Sequence, residues 1–210
     1  MISGIIFDLD GVLCSTDLYH YQAWKRIADD IGVPFTEADN ARLRGVSRMD
    51  SLNILLGRRA AEYTKQEKEI LAERKNAIYR QMLSQMTEYD ISSEVRLLLK
   101  TLKMRYRLGI GSSSRNTGYI LSQTKIETFF DAVADGNEIV NSKPDPEVFL
   151  LAAKKLALQP AECIVVEDAP AGVEAAKAGG FYCAALGKYV EHCKADSHIC
   201  QVTELAELLL

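Results

Sequence analysis

The sequence predicts an α/β fold: a parallel sheet flanked by helices, with a helical subdomain inserted after the first strand. Short apolar runs of strand length recur at intervals, the stretches between them carry helical patterns, and one long insertion has helical spacing and no strand pattern.

The first run, SGIIFDLDG, ends in two acids and a glycine, the pattern of a buried strand opening into a loop. Similar runs lie at Leu108–Gly111, Ala132–Ala134, Cys163–Val166 and Cys183–Leu186, with helical stretches such as Glu147–Ala157 and Ala171–Ala178 between them. The insertion covers about Thr16 to Tyr89. In it Ala23, Ile27 and Ile31 recur every four residues, and Ile70, Arg74, Ala77 and Ile78 continue a charged amphipathic pattern. Thr64 followed by Glu67 has the form of a capping box opening a long helix towards Met86. The expected division is a core of residues 1–15 and 90–210 and a helical cap of residues 16–89.

At 210 residues, with 48% hydrophobic and 26% charged residues, the chain has enough apolar material for a sizeable core without staples. A net charge of -4 argues against nucleic acid or an anionic membrane surface as partner. No apolar run approaches the length of a membrane span. Five cysteines, an odd number with no CxxC pair, fit reduced thiols, and a cytoplasmic location is expected.

Asp8 and Asp10 stand two residues apart at the end of the first run, and Gly11 allows the backbone to turn after them. Glu167 and Asp168 end another run. Either pair alone would be an ordinary turn or helix cap. A parallel sheet, however, brings both to one edge, where four acids repel one another unless a hard cation such as Mg²⁺ sits among them. GSSSRN (Gly111–Asn116) follows a third run, and Lys143 precedes a helix in SKPDPE; hydroxyls, backbone N–H groups and a fixed ammonium suit a phosphoryl group.

DLDGV, GSSS, SKPDPEVF and VVEDAPAG, in that order, resemble the four motifs of the haloacid-dehalogenase superfamily across essentially the whole chain. The resemblance implies a Rossmann-like core with an inserted helical cap. It also implies that Asp8 is a nucleophile that becomes phosphorylated and that Asp10 is general acid and base. Mg²⁺ would be held by Asp8, the Asp10 carbonyl, Glu167 and Asp168, and the transferring phosphoryl by Ser112 and Lys143.

TDLYHYQAW (Thr16–Trp24), LRGVSRMDSL (Leu43–Leu52) and AERKNAIY (Ala72–Tyr79) are similar to the cap of the β-phosphoglucomutase family. By that resemblance Arg48 grips the phosphate not being transferred, with Ser114, Arg115 and Asn116 on the core side. Thr16 and His20 control Asp10, and His20, Trp24, Ser51, Lys75 and Asn76 line a sugar pocket. The implied reaction interconverts β-D-glucose 1-phosphate and 6-phosphate through the 1,6-bisphosphate and a phosphoaspartyl enzyme. A sugar-phosphate phosphatase of the same superfamily is the alternative, and a non-catalytic phosphosugar-binding module a more distant one. The expected partner is a small sugar phosphate and the expected state a monomer. Ser15 and Arg44 depart from the pattern, which generally has an aspartate and a lysine there. Taken alone, Trp24 and Tyr79 would be core aromatics and Arg48 and Lys75 solvated charges; His192 and His198 match no motif.

Overall fold

A computed structural model describes residues 1–209 of the chain. Six parallel strands form one sheet in the order β3-β2-β1-β4-β5-β6. They are β1 (Gly4–Phe7), β2 (Arg107–Gly111), β3 (Ala132–Ala134), β4 (Cys163–Glu167), β5 (Tyr182–Leu186) and β6 (Ser197–Ile199). The first five fall on the runs read from the sequence. The edge strand β6 was not anticipated, and it takes in His198.

Strand β1 sits at the centre, in register with β2 on one side and β4 on the other. Its side chains alternate between faces. Ile5 and Phe7 enter one buried cluster with Leu98, Leu99 and Leu102 of α5 (Ser93–Leu102) and Ile120 and Leu121 of α6 (Thr117–Thr124). Ile6 enters the other, with Val148 and Phe149 of α7 (Glu147–Lys155) and Val173 and Ala176 of α8 (Pro170–Ala178). Burial on both faces explains why these strands read as unbroken apolar runs.

Between β1 and β2 no strand occurs. The chain forms α1 (Asp17–Asp30), α2 (Glu37–Ala41), α3 (Arg48–Leu56) and α4 (Lys65–Leu83) before α5; a short α9 (Leu205–Leu209) ends the described residues. Helices α1, α3 and α4 enclose a cluster of their own, including Trp24, Ile27, Leu52, Leu55, Leu71 and Ala72. The Thr64–Glu67 capping box is present at the start of α4, but the inward face of that helix differs from expectation. Ile70, Arg74 and Ala77 are exposed, and Leu71, Ala72, Lys75, Tyr79 and Leu83 are buried. Lys75, which taken alone reads as a solvated charge, is buried. No helix among the described residues is long and apolar enough to cross a membrane.

Candidate active site

In this strand order the direction in which successive strands are added to the sheet reverses between β1 and β4, and a crevice opens beyond their C-terminal ends. Asp8 and Asp10 follow β1; Glu167 ends β4 and Asp168 follows it. The Asp8 N–H donates to the Val166 carbonyl at 3.0 Å, fixing the two acidic loops side by side. Gly11, at φ +94°, makes the turn after Asp10, and a Cβ there would lie 2.2 Å from Asp168 Oδ2.

Lys143, fully enclosed, donates to Asp8 Oδ1 at 2.5 Å and to Glu167 Oε1 at 2.6 Å. Burial works against its charge, but the two carboxylates outweigh that and hold the ammonium well above the ordinary lysine range. Burial also raises the Asp8 carboxyl; Lys143 opposes this, and Glu167, Asp10 and Asp168 add to it. Asp168 is pushed up to about 7, by burial first and then by Glu167.

The carboxylates exceed the nearby cations, and their oxygens are the hard donors that a divalent cation such as Mg²⁺ prefers, so the donor chemistry fits one. Glu167, expected by resemblance among the cation ligands, has both oxygens engaged: its Oε1 takes Lys143 and its Oε2 accepts the Ala169 N–H at 2.7 Å. Among the described residues no three acidic, histidine or cysteine side chains form a ready-made metal cluster. Asp8, Asp168 and the Asp10 backbone are the remaining donors at this corner.

Ser112 and Ser114 follow β2. Ser112 Oγ accepts the Ser114 N–H at 3.2 Å and Ser114 Oγ accepts the Asn116 N–H at 3.1 Å, so each hydroxyl shapes the loop it belongs to. Asn116 Nδ2 donates to Asn76 Oδ1 on α4 at 3.0 Å, joining core to inserted helices across the crevice. Arg115 Nε donates to the Gly136 carbonyl.

On the helical side, Thr16, His20 and Trp24 lie one turn apart along α1 and its N-terminal flank. Thr16 Oγ1 donates to Asp10 Oδ1. Burial raises the Asp10 carboxyl, and the Thr16 hydrogen bond and the charges of Lys143 and Lys75 moderate the rise. Lys75 Nζ lies 2.8 Å from His20 Nδ1, with the rings of Tyr79 and Trp24 at 4.4 and 5.0 Å. Burial and then Arg48 lower Lys75 to about 7; burial and then Lys75 depress His20. Both shifts favour the uncharged forms, and which of Lys75 Nζ and His20 Nδ1 donates across their contact depends on the imidazole tautomer. Arg48 opens α3 and pairs with Glu73 at 2.8 Å.

These groups surround one cavity of about 1300 Å³. Every residue expected at the site lines it except Thr16 and Glu167, each of which stands behind a carboxylate or ammonium that does. Tyr79, read as a core aromatic, is 1% exposed and also lines the cavity; its position one turn after Lys75 was a usable signal. Glu73, Asp17 and Arg44 line it too and were not anticipated as site residues.

Residues 2–180 match the family model described as haloacid dehalogenase-like hydrolase. The chain is 39% identical to the β-phosphoglucomutase of Bacillus subtilis, over 100% of this chain and 94% of that protein. It is 30% identical to the phosphorylated carbohydrates phosphatase of Thermotoga maritima, over 85% and 82%. A crystal structure of β-phosphoglucomutase from Clostridium difficile superposes with a TM-score of 0.93 at 36% identity, covering 98% of this chain and 93% of that one. With motif order, strand order and these likenesses in agreement, the chain belongs to the haloacid dehalogenase-like hydrolase family.

Proposed function

We propose that this protein is a β-phosphoglucomutase, interconverting β-D-glucose 1-phosphate and β-D-glucose 6-phosphate through β-glucose 1,6-bisphosphate. The observation that carries this reading is that the cavity has two separate cationic regions. Lys143 stands against Asp8, while Arg48 from the helices and Arg115 from the core are close enough for Arg115 to depress Arg48. A mutase requires both, since its bisphosphate intermediate presents one phosphate to the nucleophile while the other is held. The likeness to the β-phosphoglucomutases of Bacillus subtilis and Clostridium difficile supports the same conclusion.

In the mechanism Asp8 attacks phosphorus and becomes phosphorylated, with Ser112 and Lys143 holding the phosphoryl oxygens as charge moves from leaving group to carboxylate. Asp10, its carboxyl raised by burial, gives a proton to the departing sugar oxygen and takes one from the attacking hydroxyl. Glu167 anchors Lys143. Asp8, Asp168 and the Asp10 carbonyl would hold Mg²⁺, which supplies charge stabilisation to the transferring phosphoryl. Arg48, Arg115, Ser114 and Asn116 hold the distal phosphate, and His20, Trp24, Ser51, Lys75 and Asn76 form the sugar pocket. Residues 16–89 act as a cap whose closure keeps water from the aspartyl-phosphate, so that a sugar hydroxyl receives the phosphoryl instead.

The test is to supply purified protein with Mg²⁺, β-glucose 1-phosphate and a trace of the bisphosphate, and to follow glucose 6-phosphate and inorganic phosphate separately. Glucose 6-phosphate without stoichiometric phosphate release is expected. Phosphate release with free sugar would instead assign a phosphatase.

A further inference from the structure

Arg44 lies between α2 and α3, in the inserted segment, yet its side chain ends in the core. Its Nη1 donates to Asp168 Oδ2 at 2.8 Å, its Nη2 pairs with Asp17 at the start of α1, and its guanidinium carbon lies 4.0 Å from the centroid of the Tyr189 ring. The side chain is only 16% exposed, and Nε is buried without a hydrogen-bond partner among the described residues. The neighbouring Gly45, at φ +74°, brings the backbone so close to the loop after Asp168 that a Cβ would stand 3.2 Å from Ala169 Cβ. Inserted segment and core therefore meet at the carboxylate that follows β4.

We infer that Arg44 is a positioning residue that couples docking of the helical segment to cation binding: it holds Asp168 when the segment is docked and opposes a divalent cation at the same carboxylate. Guanidinium suits this role because it offers two edges and a face. Asp17 takes one edge, Asp168 the other, and Tyr189 stacks on the face. A lysine, a point charge on a flexible stem, cannot engage all three at once. Holding one oxygen of Asp168 orients the carboxylate and leaves the second for a cation. The fixed positive charge, however, reduces the attraction that second oxygen can offer. Because linkage is reciprocal, a bound cation must weaken the Arg44 contact by the factor by which Arg44 weakens the cation. Asp168 thus connects the two events. The inference rests on the reading of Asp168 as a cation ligand.

Calorimetric titration of the full-length protein with MgCl₂, without sugar phosphate, tests it alongside acrylamide quenching of Trp24, the single tryptophan, 2% exposed and lining the cavity under the helices. Arg44→Gln should bind Mg²⁺ roughly three- to tenfold more tightly, the scale expected for removing one charge beside a partly screened site. Arg44→Lys, which keeps the charge, should stay within about twofold of the wild type. Trp24 should be quenched more readily in both variants, and in the wild type saturating Mg²⁺ should raise its quenching. Mg²⁺ binding by the wild type with unchanged or weaker affinity in a folded Arg44→Gln overturns the inference and leaves the site reading standing. Absence of Mg²⁺ binding in the wild type overturns the reading of Asp168, and the inference with it. Should Arg44→Gln fail to fold, Tyr189→Leu carries the test: both readouts should shift in the same directions by smaller factors, and no change in either is the contrary result.

Discussion

Lys143 Nζ stands 2.5 Å from Asp8 Oδ1, its side chain wholly out of solvent, and the same ammonium reaches Glu167 at 2.6 Å. One buried cation thus separates two buried carboxylates. Lys143→Met should cut phosphoryl transfer by roughly 10²–10³-fold, the usual cost of removing one preorganised donor. It should also cost about 3–5 kcal/mol of stability, because both carboxylates lose their buried partner. The pH dependence separates these effects. Without Lys143, Asp8 loses the charge that opposes the burial-driven rise of its carboxyl and holds its proton more tightly folded than unfolded, so the variant should regain stability as pH falls from 8 to 5. The wild-type lysine stays charged throughout that window. Urea unfolding at the two pH values checks this.

Asp8→Asn should abolish turnover and eliminate the phosphorylated protein seen after rapid acid quench of a reaction with the bisphosphate. Turnover within tenfold of wild type would remove Asp8 from the nucleophile's role. Asp10→Ala should lose roughly 10²–10⁴-fold in kcat, the range of general acid–base catalysis.

Gly172 lies where β4 gives way to α8, and a Cβ there would stand 1.9 Å from Glu167 Oε1. Gly172→Ala must push that carboxylate off Lys143. Loss of turnover comparable to Lys143→Met, together with a lower Tm, is expected from kinetics and thermal melting, and normal turnover would show that Glu167 does not anchor the lysine.

The sheet was legible because strands buried on both faces are apolar throughout and end in acids, glycine or serine. The edge strand β6 was not, since Ser197, His198 and Ile199 carry no alternation and their pairing with β5 is non-local. The acidic corner was legible as a set of residues but not as a set of bonds. Spacing placed Glu167 beside Asp168; it could not show that Lys143 and the Ala169 N–H claim both of its oxygens. Arg44 meets Asp168 across 124 residues of sequence, a contact that no local pattern encodes. On α4 Lys75 taken alone reads as a solvated charge; only the resemblance put it in a pocket, and it is buried there beside His20, Trp24 and Tyr79.

Lys75, lowered to about 7 from an ordinary value of 10.5, makes stability depend on pH in a definite direction. Between those values the unfolded chain holds a proton that the folded chain lacks, so stability rises with pH across the window and is flat, for this group, below it. Relative to Lys75→Met, the wild type should gain up to about 4 kcal/mol between pH 7 and 10, an upper bound set by the size of the shift. A phosphosugar brought beside Lys75 restores its charge. Binding near pH 7.5 should therefore take up protons, measurable as a buffer-dependent heat in calorimetry; release of protons would contradict the assignment.

Glu73 pairs with Arg48 at 2.8 Å but is itself 68% exposed, so a carboxylate engages the guanidinium proposed to hold the distal phosphate. Such a half-exposed pair is worth at most about 1 kcal/mol. Glu73→Gln, which removes the competitor's charge and keeps its shape, should lower the KM for glucose 1-phosphate by up to roughly fivefold and leave kcat within about twofold, since the factor acts on binding alone. Arg48→Ala should raise KM by roughly 10–100-fold, the loss of a charge-assisted contact. The double variant distinguishes competition from a structural role. If Glu73 acts only by occupying Arg48, Glu73→Gln should have no further effect once Arg48 is gone, and a persistent fivefold change would place Glu73 on some other contact.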